Sequence, residues 1–199
     1  MKSDTDEKLI EATLLLVSEK GYLGTSTKEI AQKAGVTEVT LFRHFGSKER
    51  LFEEVLNRYS FLPRLRDLLS KIGDSSHDFP DTLQLIGIGF FETLKERKSL
   101  VRIMSSEINV YPEKIKVFHT KCIDETIKLL EEYFRARQEK GVLKKFSPDM
   151  GSRAFLGMIF AYFNAEVIIK GREITNKEIK LVIKEFVRIF TYGVLKGED

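Results

Sequence analysis

Between Asp6 and Lys48 the chain signals four helix starts, and helices this short hold their shape only by packing against one another. Apolar residues recur at intervals of three and four through Leu9, Ile10, Ala12, Thr13, Leu14, Leu16 and Val17, and Gly21 after Lys20 is a C-terminal stop. Ser26-Thr27-Lys28-Glu29 sets a hydroxyl three residues ahead of a carboxylate, the reciprocal capping pattern, and Gly35 ends the helix it opens after Ala34. Thr37 is placed to cap a third helix, Glu38 to Phe45, before Gly46-Ser47 breaks the chain and Lys48 begins a fourth. Two short helices joined across Gly35 and Val36 have the spacing of a helix-turn-helix.

Beyond Lys48 the helical period persists over longer stretches. One helix runs from Lys48 through Tyr59 towards Ile72, with Pro63 kinking or restarting it, and Gly73 to Asp78 reads as a loop. Pro80 suits the first turn of a helix carrying Leu83, Ile86 and Leu94, and a shorter one spans Ser99 to Ile108. Pro112 opens the longest candidate, which stops at Gly141; Ser147-Pro148 opens another that stops at Gly171. Thr175-Asn176-Lys177-Glu178 repeats the capping pattern for the last helix, through Leu195. No alternation of period two appears, so the expected fold is all-α. Its N-terminal three-helix domain with the helix-turn-helix occupies residues 1–47, and a larger helical domain occupies 48–199.

Several function classes drop out. With 42% hydrophobic residues and 15 Phe the chain has apolar surface enough for a core, and its single cysteine excludes an internal disulfide. The opening Met1-Lys2-Ser3-Asp4 is not a signal peptide, so a cytoplasmic location is expected. Asn164 and Glu166 interrupt the most apolar run, Ala154 to Ile169, and no membrane span is expected. His44, His77 and His119 stand in no metal-ligand spacing, and His119 with Cys122 supplies too few ligands for a metal. Neither Gly-x-Ser-x-Gly nor a phosphate-binding loop is present, so no enzyme activity and no cofactor are expected.

Charge is informative through its distribution. Residues 20–50 hold six Lys or Arg against three Glu, whereas residues 1–19 hold two Lys against five Asp or Glu. A basic stretch that coincides with a helix-turn-helix points to DNA. Residues 25–51, Thr-Ser-Thr-Lys-Glu-Ile-Ala-Gln-Lys-Ala-Gly-Val-Thr-Glu-Val-Thr-Leu-Phe-Arg-His-Phe-Gly-Ser-Lys-Glu-Arg-Leu, closely resemble the DNA-binding signature of the tetracycline-repressor (TetR) family of transcriptional regulators. The resemblance covers the first sixty residues strongly and the remainder in length and helix pattern.

The resemblance implies roles residue by residue. Thr27 would cap the first helix of the motif at the phosphate backbone; Thr37 and Thr40 would stand at the front of the recognition helix, against phosphate and base edges. Arg43 and His44 would lie on its outer face, and Lys48 would meet phosphate with its ammonium and with the helix N-terminus behind it. Leu41 and Phe45, like Ile30, Ala31 and Ala34, would be core. Three positions depart from the family pattern or adjoin the departure. Phe42 stands where Tyr is usual, so a phosphate-bonding hydroxyl is replaced by a ring that packs on sugar or a thymine methyl. Val39 replaces a frequent Gly; Glu38 either accepts from a cytosine amino group or merely complements the helix dipole.

The larger half is oversupplied with apolar faces. Phe155, Ile159, Tyr162 and Ile169 form one stripe of the Ser147 helix, Leu156, Phe160, Phe163 and Val167 a second, and Ala154, Gly157, Ala161 and Ala165 a third. The resemblance assigns the last two helices to a homodimer interface. It also implies a pocket for a small apolar or amphipathic effector, with Phe90, Phe91, Met104, Phe118, Cys122, Met158 and Tyr162 as candidate lining, although at helical spacing such residues equally serve as core. The implied function is a ligand-responsive repressor that binds double-stranded DNA at a palindromic operator. The alternative is a helical DNA-binding or interaction protein without a small-molecule effector.

Overall fold

The computed structural model describes residues 4–72, 78–107, 109 and 111–194. Gly73 to His77 of the expected loop, Ile108 and the expected helix end at Leu195 lie outside the described residues. Among the described residues every regular element is helical. They are α1 (Asp4–Lys20), α2 (Thr27–Lys33), α3 (Glu38–Phe45), α4 (Lys48–Tyr59), α5 (Leu62–Ile72), α6 (Phe79–Glu96), α7 (Lys98–Glu107), α8 (Glu113–Glu139), α9 (Pro148–Phe163) and α10 (Asn176–Val194). A π-helical segment, Asn164–Ile169, extends α9. The helix begun at Lys48 stops rather than kinks: Ser60 is extended, with ψ 170°, and Pro63 falls in the first turn of α5 where its missing N–H is harmless.

The chain forms two compact units. The first comprises residues 1–60 and 97–122, the second 61–96 and 123–199. This division differs from a cut at residue 47, because α4, α7 and the first turns of α8 share a core with the N-terminal helices. In the first unit α1 packs on α2, α4 and α7. Leu9, Ile10, Val17, Ile30, Leu41, Leu51, Phe52 and Val55 are all 0% exposed, and Leu100, Ile103, Met104, Tyr111 and Ile115 complete the same cluster. At its centre the ring centroid of Phe52 lies 5.0 Å from that of Tyr22 and 6.3 Å from that of Tyr111. An Arg58–Glu7 ion pair ties α4 to the start of α1.

In the second unit α6 packs on α5, α9 and α10. Gly87 permits the close approach of α6 to α10: a Cβ there would lie 2.7 Å from Ile183 Cγ2 and 3.2 Å from Ile159 Cδ1. Lys95 Nζ donates to the Ile174 carbonyl at 2.7 Å, holding the segment before α10. The buried line of α9 is Phe155, Ile159, Phe163 and Val167, each four residues on from the last. Sequence periodicity groups Ile169 with Phe155 and Ile159. The π-helical turn takes up more residues than an α-turn and shifts the following side chains around the axis, so Ile169 is 73% exposed. Pro148–Ile169, 22 residues, is also long and apolar enough to cross a membrane by length and composition, which the sequence reading did not expect. Here its buried line packs within the second unit.

Candidate nucleic-acid interface

The motif helices are set by local chemistry. Ser26, and not Thr27, is the N-cap of α2: its Oγ accepts from the Glu29 N–H at 3.2 Å, while the Glu29 carboxylate accepts from the Ser26 N–H at 2.9 Å. Thr27 is the first residue inside the helix, and its hydroxyl donates to Glu38 Oε1 at 2.5 Å. That bond links the starts of the two motif helices. Between them Gly35 adopts φ +71°, a conformation that favours glycine. Thr37 caps α3, its hydroxyl accepting from the Thr40 N–H at 3.2 Å and lying 2.9 Å from the Thr40 hydroxyl.

The faces of α3 separate cleanly. Leu41 is fully buried and Phe45 packs on the same core. Val39, turned away from Leu41, is 77% exposed and Arg43 is exposed, while Phe42, beside Phe45, is 44% exposed. Ala34, Ile30 and Ala31 of α2 are buried as expected.

Besides Thr27 and Glu38, two more of the expected DNA-contacting residues are engaged with the protein itself. His44 Nδ1 lies 2.7 Å from Asp6 Oδ1, joining the end of α3 to α1. Lys48 Nζ donates to the Tyr22 carbonyl at 2.5 Å and sits 4.1 Å from the Tyr22 ring centroid. Burial lowers the Lys48 ammonium below the usual lysine range, against the opposing pull of Glu49 and Glu29, and burial raises the Tyr22 hydroxyl above its usual range. Lys48 is thus a half-buried clamp on the turn after α1, with further N–H donors left. Tyr22 is the partner that sequence reasoning missed; its place directly after the Gly21 stop was the available signal. Lys28, Lys33, Arg43 and Arg50 are exposed and make no ion pair among the described residues.

The α1–α2 corner carries a titratable contact. Lys20 Nζ donates to Glu29 Oε1 at 2.6 Å; with the backbone N–H and hydroxyl of Ser26 this holds the Glu29 carboxyl down to about 2. A carboxyl lowered on folding stabilises the protein above its ordinary range and loses that contribution as pH falls towards 2. Urea midpoints followed between pH 5 and pH 2 are therefore expected to fall more steeply for the parent than for Glu29→Gln. Parallel curves would show that the contact carries no linkage.

The seven candidates for effector contact fall into both units. In the second, the Phe91 centroid lies 6.3 Å from that of Tyr162 and 5.6 Å from that of Phe163, Phe90 is 5.0 Å from Phe61, and Met158 is half-buried. In the first, Met104 is core, Phe118 packs on that core and Cys122 is buried. Among the described residues no group of three or more His, Cys, Asp or Glu is placed to hold a metal ion.

The motif and the fold agree with known proteins. Residues 9–55 match the model of bacterial regulatory proteins of the tetR family, and residues 81–193 match the C-terminal domain of AefR-like transcriptional repressors. YvkB of Bacillus subtilis, an uncharacterised HTH-type transcriptional regulator, is 29% identical over 96% of this chain and 97% of its own. A TetR-family regulator from Mesorhizobium loti superposes with a TM-score of 0.84 at 20% identity, covering 98% of this chain and all of that one. The fatty acid degradation regulator FadR of Bacillus halodurans gives 0.77 at 17% identity, with 97% of each chain covered. With both halves of the chain matched by models of one family, and with its motif built and faced as described, the chain belongs to the TetR family of transcriptional regulators.

Proposed function

We propose that the protein is a cytoplasmic, effector-released repressor that binds a palindromic operator as a homodimer, placing α3 of each subunit in successive major grooves. The observation that carries this reading is the outward face of α3, capped by Thr37 and bearing Val39, Phe42 and Arg43, on a head whose Lys28, Lys33 and Arg50 are exposed and make no ion pair among the described residues. Thr37 and Thr40 hydroxyls suit phosphate, and Lys48 and His44 support the helix ends on either side. The dimer forms through α9 and α10, whose outer faces carry exposed apolar residues. The effector is small and apolar or amphipathic, taken up among Phe90, Phe91, Met158 and Tyr162; that a protein of the same fold regulates fatty acid degradation supports this chemistry. It releases DNA by binding more tightly to the conformer whose two recognition helices are wrongly spaced, and its differential affinity sets the loss of operator binding.

The test is selection of bound fragments from a genomic library at two salt concentrations, with an Arg43→Ala, Arg50→Ala variant alongside. A palindrome enriched by the parent, bound tenfold or more weakly at the higher salt and not enriched by the variant, is the expected result. Salt-insensitive background for both proteins would overturn the reading.

A further inference from the structure

We propose that the recognition helix reads its operator through thymine 5-methyl groups, with Val39 and Phe42 as the specificity-determining residues. This deepens the DNA-binding reading above and rests on it. In an eight-residue helix whose Leu41 is fully buried, the face that projects from the protein is built by Val39, Phe42 and Arg43. Two of those three are apolar, at 77% and 44% exposure, which leaves large hydrophobic surface in water unless something covers it.

Apart from Arg43, the side chains of α3 and its cap that could read bases by hydrogen bonding have partners within the protein. Glu38, the candidate acceptor for a cytosine amino group, already accepts from the Thr27 hydroxyl at 2.5 Å. The Thr37 and Thr40 hydroxyls face each other at 2.9 Å, and Thr37 also caps the helix. His44 lies against Asp6.

The occupant is fixed by charge and chemistry together. Exposed cations that make no ion pair among the described residues, Arg43 on the same face among them, call for a polyanion. On the major-groove wall of DNA the one apolar group that distinguishes a base pair is the C5-methyl of thymine. Covering the Val39 isopropyl group and the Phe42 ring with such methyls removes apolar surface from water on both sides, which hydrogen-bonded readout would not do for these residues.

The test uses the full-length protein and a random-sequence duplex pool. The enriched duplex is resynthesised with deoxyuridine in place of every thymidine, which removes the 5-methyl and keeps the pairing edges. The enriched half-sites are expected to carry thymine at fixed positions, and the uracil form to bind about fourfold more weakly for each contacted methyl, the worth of one buried methyl group. Val39→Ala, at an exposed position that leaves the fold unchanged, is expected to discriminate less between the two forms; Val39→Thr, with one methyl exchanged for a hydroxyl, keeps the side-chain shape and serves as the second variant. Equal binding of the two forms by the parent overturns methyl readout and leaves the DNA-binding reading standing. A pool with no enrichment overturns both.

Discussion

Phe52→Ala is expected to cost about 3–5 kcal/mol of stability, the range for truncating a fully buried aromatic to alanine. The ring is 0% exposed and touches the rings of Tyr22 and Tyr111, so its removal opens a void between the turn after α1, helix α4 and the start of α8. A loss of that size is a large part of the roughly 5–15 kcal/mol that separates a folded domain from its unfolded chain. It reaches function because α2 and α3, of seven and eight residues, are too short to persist without the core beneath them. Tyr22 also offers the carbonyl that holds Lys48, so loosening the ring loosens the clamp at the start of α4. Urea titration followed by circular dichroism measures the effect, with Phe42→Ala as the comparison. That substitution removes the same ring from an exposed site and is expected to change stability by no more than about 0.5 kcal/mol. Similar losses in the two variants would mean that the Phe52 cluster does not hold the head together.

What the sequence made legible follows a physical rule. Features written by neighbours within one helical turn were readable: the Ser26–Glu29 cap, the Gly35 corner, the Thr37 cap and the division of α3 into a Leu41 side and a Val39 side all depend on residues at most five apart. Contacts made across the fold were not. Thr27 reaches Glu38 eleven residues away, Lys48 reaches Tyr22 across 26, and His44 meets Asp6 across 38. Each converts a side chain with an evident DNA role into one with an internal partner, and no local pattern announces it. The family resemblance placed His44 on the outer face of α3 and Lys48 at phosphate; the fold adds an Asp6 partner to the one and the Tyr22 carbonyl to the other. The π-helical turn after Phe163 lay beyond periodicity for a related reason: Asn164–Ile169 reads as unbroken helix, and the shift shows only in which side chains lose water, Val167 buried and Ile169 out. The grouping of α7 with the head likewise depends on Leu100, Ile103 and Met104 finding a core built more than forty residues earlier.

Ala161→Glu is expected to separate the proposed homodimer and to weaken palindrome binding by a factor of about 100 to 10,000, the span over which a second tethered contact raises affinity. Along the outer face of α9, Ala154, Gly157 and Ala161 are exposed beside Phe160 at 39%, and a Cβ placed on Gly157 would meet nothing within 4 Å. Small residues there let another helix approach closely. On α10, Leu181, Ile189 and Tyr192 are 60%, 52% and 77% exposed, which extends the apolar surface beyond what scattered exposed residues account for. In a two-fold interface through these helices the substitution occurs on both subunits and buries each carboxylate without a partner. The free subunit pays little, since Ala161 is exposed and glutamate is a good helix former. Sedimentation should therefore show a monomer with unchanged helicity, binding a single half-site as the parent's head does but losing the advantage of the full palindrome. A variant that remains dimeric would move the interface away from α9 and α10, whereas a monomer that keeps the parent's affinity for the palindrome would mean that the two heads do not act together.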